Sequence, residues 1–214
     1  MSLKKLIILF VLVCVLASSC APIYLQGKRK QEQIDRLVAQ IDTLYKAKDW
    51  DNALKITEKL AKLDKTNRGF YYSNIGRILE KKNEEDKAIK IYKRSISKYK
   101  NSQWGYYNLG RIYFNHGVEQ LDRANQIYDN DRYHEQYLVE KEKAKEYFRQ
   151  ALSLFEKGLE LNPNNKMDYY FALRMTYYNL GMMDKFDWVE KIIEKIKVIN
   201  FPFLEQRRTK KISK

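Results

Sequence analysis

The sequence predicts an all-α protein built from repeated helical hairpins, one of which is much longer than the others. Only three prolines and eight glycines occur in 214 residues, and 32% of the residues are charged, which favours helices over tight turns. Two segments, YYSNIGRIL at 71–79 and GYYNLGRIY at 105–113, repeat one pattern at an offset of 34 residues. Such a period indicates stacked units that bury their apolar faces on one another.

The N-terminus has the pattern of a secretory signal peptide over 1–19. Two lysines precede an unbroken apolar run over 6–17, and twelve residues are too few for the about 20 that a membrane-spanning helix needs. The run ends in the small residues Ala-Ser-Ser and then Cys20. We therefore expect the segment to direct export and to be removed.

This segment resembles the signal of a bacterial lipoprotein, in which a cysteine that follows small residues is diacylated and becomes the first residue. Ala17 and Ser19 would also suit an ordinary signal peptidase that cuts at the same bond. Cys14 would leave with the signal, so the exported chain would keep one thiol and no disulfide partner. The resemblance implies that Cys20 carries a lipid anchor, followed by a tether over 20–33.

The charge of the chain is strongly basic but uneven. The formal net charge is +14, with basic segments at 67–103 and 166–214 and a slightly acidic segment at 104–165. A basic chain suggests nucleic acid as a partner, but an exported protein rarely meets nucleic acid. Anionic lipid headgroups, acidic polymers and acidic proteins remain as partners, and solubility alone is the alternative explanation.

The 34-residue pattern resembles the tetratricopeptide repeat, whose signature is W-x2-L-G-x2-Y, then A-x3-F, then P. The resemblance extends from about residue 34 to 200 and implies a repeat domain over 34–205, followed by a basic tail at 206–214. In the second unit the signature positions are held by Tyr72, Ile75, Gly76, Leu79, Ala88 and Tyr92. In the third unit they are held by Tyr106, Leu109, Gly110, Tyr113, Ala151, Phe155 and Pro163.

The third unit contains an insertion. The offset from Tyr113 to Ala151 is 38 residues, against about nine in the repeat. The excess is about eight helical turns, so both helices can lengthen by roughly four turns and keep their register, standing roughly 20 Å out of the superhelix. Asp129, Asn130 and Asp131 lie midway, where a turn is needed. We therefore predict an elongated helical hairpin over about 114–150 rather than a disordered loop.

The sequence carries no signature of an enzyme and none of a cofactor. It contains no G-x-S-x-G motif and no glycine-rich loop after a strand. Its two histidines, His116 and His134, both lie in the insertion and lack the i, i+4 spacing of a helical metal site. We expect them to be solvated residues of the hairpin, and we predict no metal site.

One constellation suggests a binding surface. The Y-x4-R spacing recurs in three first helices, and an asparagine recurs in two of them; the residues are Tyr72, Asn74, Arg77, Tyr106, Asn108, Arg111, Tyr169 and Arg174. The resemblance implies that first helices line a groove in which asparagines hold a peptide backbone and arginines hold its carboxylates. An arginine fork suits a carboxylate because two parallel hydrogen bonds can form. The alternative is that these arginines occupy ordinary surface positions.

These observations together predict a lipid-anchored repeat module of the bacterial cell envelope, on the periplasmic side or at the cell surface. Its expected partner is another envelope protein or peptide, an acidic one being favoured by the arginines. Two alternatives remain: a structural spacer bound to anionic lipid, and a ligand-binding or enzymatic domain that uses the tyrosine and arginine groove.

Overall fold

The computed structural model describes the backbone over 3–99, 102–128, 134–161 and 166–200, and side chains from residue 24 to 196 within these ranges except at 128. In these ranges the chain forms eight helices and no strand, which confirms the all-α prediction. The helices are α1 Leu3–Ala47, α2 Trp50–Leu63, α3 Arg68–Lys81, α4 Glu85–Lys98, α5 Gln103–Tyr128, α6 His134–Leu161, α7 Lys166–Leu180 and α8 Met183–Asn200. The predicted turn at 129–131, Pro163 and the tail at 206–214 lie outside the described residues.

The chain divides into two compact units, Met1–Tyr71 and Tyr72–Lys214. In the first unit α1 packs on α2, with Leu37 and Leu60 buried and the Tyr45 ring 5.3 Å from that of Trp50. Helix α1 continues without a break through the predicted tether at 20–33. None of the helices in the described part of the chain combines the length and the apolar character needed to span a bilayer.

The Asp64 carboxylate organises the end of α2. It accepts hydrogen bonds from the Thr66 amide at 3.1 Å, the Asn67 side-chain amide at 2.8 Å and the Tyr71 hydroxyl at 3.1 Å. Burial acts to raise the pKa of Asp64, but the hydrogen bonds from Asn67, Tyr71 and Thr66 outweigh burial and lower it. The carboxylate therefore stays ionised, satisfies orphan amides where α3 begins, and fixes the turn between the two helices.

Glycines let an aromatic ring approach a helix backbone in the α3–α4 and α5–α6 hairpins. A Cβ added at Gly76 would lie 2.4 Å from Cε1 of Tyr92, and one at Gly110 would lie 2.6 Å from Cε1 of Phe155. Both rings are almost fully buried. These are the small and large positions of the repeat signature, so the close packing of antiparallel helices that the sequence predicted is present.

The elongated hairpin is formed by α5 and α6, which have 26 and 28 residues. Phe148 is fully buried where the two helices meet, with its ring centroid 5.3 Å from that of Phe114. A Cβ at Gly117 would lie 2.7 Å from Cε1 of Phe148. The predicted elongation of both helices in the third unit is therefore confirmed, and much of its apolar surface is buried within the hairpin.

Replacing 115–149 by a short turn is expected to leave the rest of the second unit folded. The reason is that the largest buried side chain of the insertion, Phe148, packs against Phe114 and Gly117 of the same hairpin. Thermal unfolding followed by circular dichroism should still show one cooperative transition. A broad, non-cooperative transition would show instead that the hairpin completes the core of the repeats.

Candidate functional site

The turns that end α3 and α7 fix how these two first helices correspond. The Leu79 carbonyl accepts a hydrogen bond from the amide five residues later, at 2.9 Å, and the Tyr177 carbonyl does the same at 2.9 Å. The residues before the donors, Asn83 and Gly181, both have a positive φ, of 59° and 72°. Leu79 and Tyr177 are therefore equivalent positions in the second repeat unit, formed by α3 and α4, and in the fourth, formed by α7 and α8.

This alignment of the turns differs by one residue from the alignment that the Y-x4-R spacing gives for α7. Arg77 lies two residues before Leu79, so its counterpart in α7 is Met175 rather than Arg174. The turn that closes a hairpin, and not the spacing of side chains within one helix, decides which face a residue occupies. Only Arg77 and Arg111, among the three arginines of the predicted ladder, share one position.

Arg174 occupies the position that Gly76 holds in the second unit. Its Nη1 donates to Glu190 Oε1 at 2.8 Å, and Glu190 occupies the position of Tyr92. An ion pair thus replaces the glycine–aromatic contact between the helices of the fourth unit. The Nε atom of Arg174 is buried and has no hydrogen-bond partner among the described residues.

Glu80 links helices α3, α4 and α5. It accepts a hydrogen bond from Arg111 Nη2 at 2.5 Å and another from the Tyr92 hydroxyl at 2.6 Å. Burial raises the pKa of Tyr92, and the hydrogen bond to Glu80 raises it further, so the hydroxyl stays protonated as the donor. Arg111 is therefore held in place by an internal carboxylate, although 39% of its side chain remains exposed.

Arg77 differs from Arg111 because it has no internal carboxylate. Its side chain is exposed and forms no hydrogen bond or ion pair with any residue that the structure describes. Asn108, one turn before Arg111 on α5, is 5% exposed, and its Nδ2 has no hydrogen-bond partner within the described ranges. Asn74 is half-buried. Arg77 is therefore the exposed donor of this surface, whereas the Nδ2 atom of Asn108 is buried and is not accessible to a bound peptide.

The three tyrosines of the predicted groove have different environments. Tyr72 stacks on Tyr99 with ring centroids 5.6 Å apart, and Tyr106 is half-buried. Tyr169 is 2% exposed, and its hydroxyl donates to the carbonyl oxygen of Gln103 at 2.6 Å. Tyr169 is thus a core residue, and the register of α7 places Tyr170 at the position of Tyr72 and Tyr106.

An exposed apolar surface on α7 was not predicted from the sequence. We call it the α7 strip: Phe171, Met175 and Tyr178, which are 37%, 41% and 58% exposed. Their spacing of four and three residues places them on one side of the helix, and this spacing is the signal that could have identified them. Apolar residues at helical spacing usually form the buried face of a helix, and on α7 these three form an exposed one.

Neither histidine lies in a metal-type cluster. His116 Nε2 is 2.6 Å from Glu85 Oε1, and its ring contacts that of Tyr147 at 5.3 Å. His134 is exposed, and its ring lies 6.3 Å from that of Tyr137. No group of three or more histidine, cysteine, aspartate or glutamate residues in the described part of the chain is arranged to hold a metal ion.

Comparison with known proteins identifies one repeat directly. The tetratricopeptide repeat family matches residues 71–97, which span most of α3 and α4. The curated proteins include no significant match to the chain. Residues 71–97 therefore form a tetratricopeptide repeat. Proteins built from such helical repeats generally act as scaffolds that bind other proteins.

Two solved structures of the protein MamA are also similar to this chain. The first, a mutant, is 14% identical and has a TM-score of 0.31, with 76% of this chain and 96% of that chain covered. The second, MamA AMB-1, is 15% identical and has a TM-score of 0.31, with 77% and 92% covered. A TM-score below 0.5 does not establish a common arrangement, so the hairpins described above are defined by the contacts of this chain.

Proposed function

We propose that this chain is a lipid-anchored adaptor of the bacterial cell envelope that holds a partner protein on the first helices α3, α5 and α7. The observation that carries the proposal is the exposed guanidinium of Arg77, which has no carboxylate partner among the described residues and lies on the same helix face as Arg111. A guanidinium binds a carboxylate through paired, charge-assisted hydrogen bonds. The partner segment is therefore acidic.

The membrane part of the proposal is supported by the N-terminal sequence. A short apolar run and three small residues precede Cys20, and the chain beyond the signal has no second cysteine. Two acyl chains on that residue would give stable anchoring, whereas a single chain gives only marginal binding. The repeat domain would then act at the surface of a membrane, where its partner is another envelope protein.

Affinity capture of the tagged protein from its own envelope, with the Arg77→Glu variant beside the wild type, tests the proposal. The wild type is expected to retain a specific partner, and Arg77→Glu to lose it by about tenfold or more, a change of about 1.4 kcal/mol in binding. Lys90→Glu is the matched control, because Lys90 is exposed on the second helix α4 rather than on a first helix and makes the same change of charge. Equal capture by the wild type and Arg77→Glu would refute binding at this surface.

A second candidate function is that of a spacer resting on anionic lipid. It is favoured by the exposed cations of α4, which are Lys87, Lys90, Lys93, Arg94 and Lys98. Each cation near an anionic surface contributes about 1 kcal/mol. Co-sedimentation of the Cys20→Ser protein with phosphatidylglycerol vesicles, reversed by high salt and lost in Lys90→Glu with Lys98→Glu, would support this role; lack of co-sedimentation at low salt would eliminate it.

A further inference from the structure

We infer that the partner segment is an extended, bipartite peptide, with a carboxylate that pairs with Arg77 and a large apolar side chain that packs on the α7 strip. The inference rests on the proposed function and specifies the chemistry of its partner. It follows from a change of polarity along one face of successive first helices.

Helices α3, α5 and α7, the first helices of three successive repeat units, are neighbours. Helix α3 contacts α5 through the ion pair of Glu80 with Arg111. Helix α5 contacts α7 where the Tyr107 and Tyr169 rings lie 5.4 Å apart. Because stacked repeats present equivalent positions side by side, the face that carries Arg77 continues across α5 to α7.

The polarity of this face changes from α3 to α7. Arg77, on α3, is a cation without an internal partner among the described residues, whereas Arg111, on α5, is neutralised by Glu80. The equivalent position of α7 is Met175, which is 41% exposed. The one arginine near it, Arg174, is paired with Glu190 at 2.8 Å. One end of the face is therefore cationic, and the other is apolar and without excess charge.

The α7 strip is an exposed apolar surface on a first helix. Tyr178 is 58% exposed, with its ring centroid 5.9 Å from that of Phe186 on α8. The Arg174 guanidinium lies 5.8 Å from the centroid of the Phe171 ring, and its Nη2 lies 3.8 Å from Met175 Sδ. These contacts make the strip continuous across the hairpin, as a binding surface for an apolar side chain requires.

The distance between the two ends sets the spacing within the peptide. Neighbouring helices pack about 8–10 Å apart, so two successive spacings separate Arg77 from Met175 by about 20 Å. An extended chain rises about 3.3 Å per residue, so about six residues cover this distance. The expected motif is an aspartate or glutamate followed or preceded, six positions away, by Phe, Leu or Met.

Fluorescence anisotropy with labelled synthetic peptides tests the inference on the Cys20→Ser protein. The probe is a decapeptide with Asp at position 2 and Phe at position 8, and serine, glycine and glutamine elsewhere; the control peptide has Phe at position 4. We expect saturable binding of the probe and at least tenfold weaker binding of the control, because the shorter peptide spacing cannot reach both ends. Equal affinities, or no saturable binding of either peptide, would overturn the inference.

Variants separate the two ends of the surface. Arg77→Glu and the double variant Met175→Ser with Tyr178→Ser should each weaken probe binding by about tenfold. Lys90→Glu and Trp188→Ala are the matched controls, because Lys90 is exposed on the second helix α4 and Trp188 is a 55% exposed apolar residue of the second helix α8. Unchanged binding by the double variant would overturn the inference.

The inference and the proposed function fail in different ways. If the double variant retains the envelope partner and Arg77→Glu loses it, the acidic partner stands and the apolar anchor is wrong. If neither substitution affects capture, both are wrong. Analytical ultracentrifugation tests whether a second copy of this chain occupies the strip instead. A wild-type dimer that becomes a monomer in the double variant would show this and would also overturn the inference.

Discussion

Replacement of Gly76 by valine is expected to abolish cooperative folding of the second unit. A Cβ at this position would lie 2.4 Å from Cε1 and 2.5 Å from Cζ of Tyr92, far inside van der Waals contact. The ring cannot move aside easily, because it is 0% exposed and its hydroxyl donates a hydrogen bond to Glu80 Oε1 at 2.6 Å. Glu80 in turn holds Arg111, so displacement of the ring would disturb three helices.

The Gly76→Ala variant measures how much stability this steric conflict costs. Overpacking typically costs about 1–3 kcal/mol, and we expect Gly76→Ala near the upper end, with a fall of about 6–12 °C in Tm. Valine adds two more methyl groups against the same ring. The resulting loss in the free energy of unfolding should exceed the few kcal/mol that the repeats can lose and still fold. Circular dichroism melts of both variants measure these changes.

Gly27→Ala is the matched control, since no atom lies within 4 Å of a Cβ at Gly27 and the residue is inside α1. This change should stabilise the helix by up to about 1 kcal/mol or leave the Tm unaltered. A Gly76→Ala protein that melts like the wild type would show that the Tyr92 ring relaxes freely, and the packing argument would fail.

The Cys20→Ser substitution is expected to move the protein from the membrane to the soluble fraction. If Cys20 is the anchor, the mature protein begins there with two or three acyl chains, and each buried methylene contributes about 0.8 kcal/mol. Serine cannot form the thioether, so these chains are lost together. Export should continue, because Ala17 and Ser19 also suit the ordinary signal peptidase. Palmitate labelling and membrane fractionation measure both effects.

Cys14→Ser is the control for this experiment. The sequence contains only two cysteines, and Cys14 lies inside the predicted signal, which would be removed before the mature protein is anchored. This variant should label with palmitate and fractionate as the wild type does. A wild type that is itself soluble and unlabelled would refute lipidation and leave an exported repeat protein with one free thiol.

The repeat period and the helices were determined by the sequence alone. The signature residues of the second repeat lie within one 34-residue unit, so the pairing of Gly76 with Tyr92 follows from local spacing. Gly110 and Phe155 are 45 residues apart, and they still pair because both helices of their hairpin lengthen in register. The elongated hairpin was predictable for the same reason. Its length is the difference between two spacings, and the apolar face continues at helical periodicity along both arms.

Only the tertiary structure decided which residues of the candidate site are available. The register of α7 depends on the turn at Gly181, which places Met175 where the Y-x4-R spacing predicted Arg174. Whether an arginine is free depends on a carboxylate in another helix, as Glu80 shows for Arg111. The burial of Tyr169 and the exposure of Tyr178 likewise depend on which neighbouring helices cover α7, and the sequence of α7 alone cannot specify its neighbours.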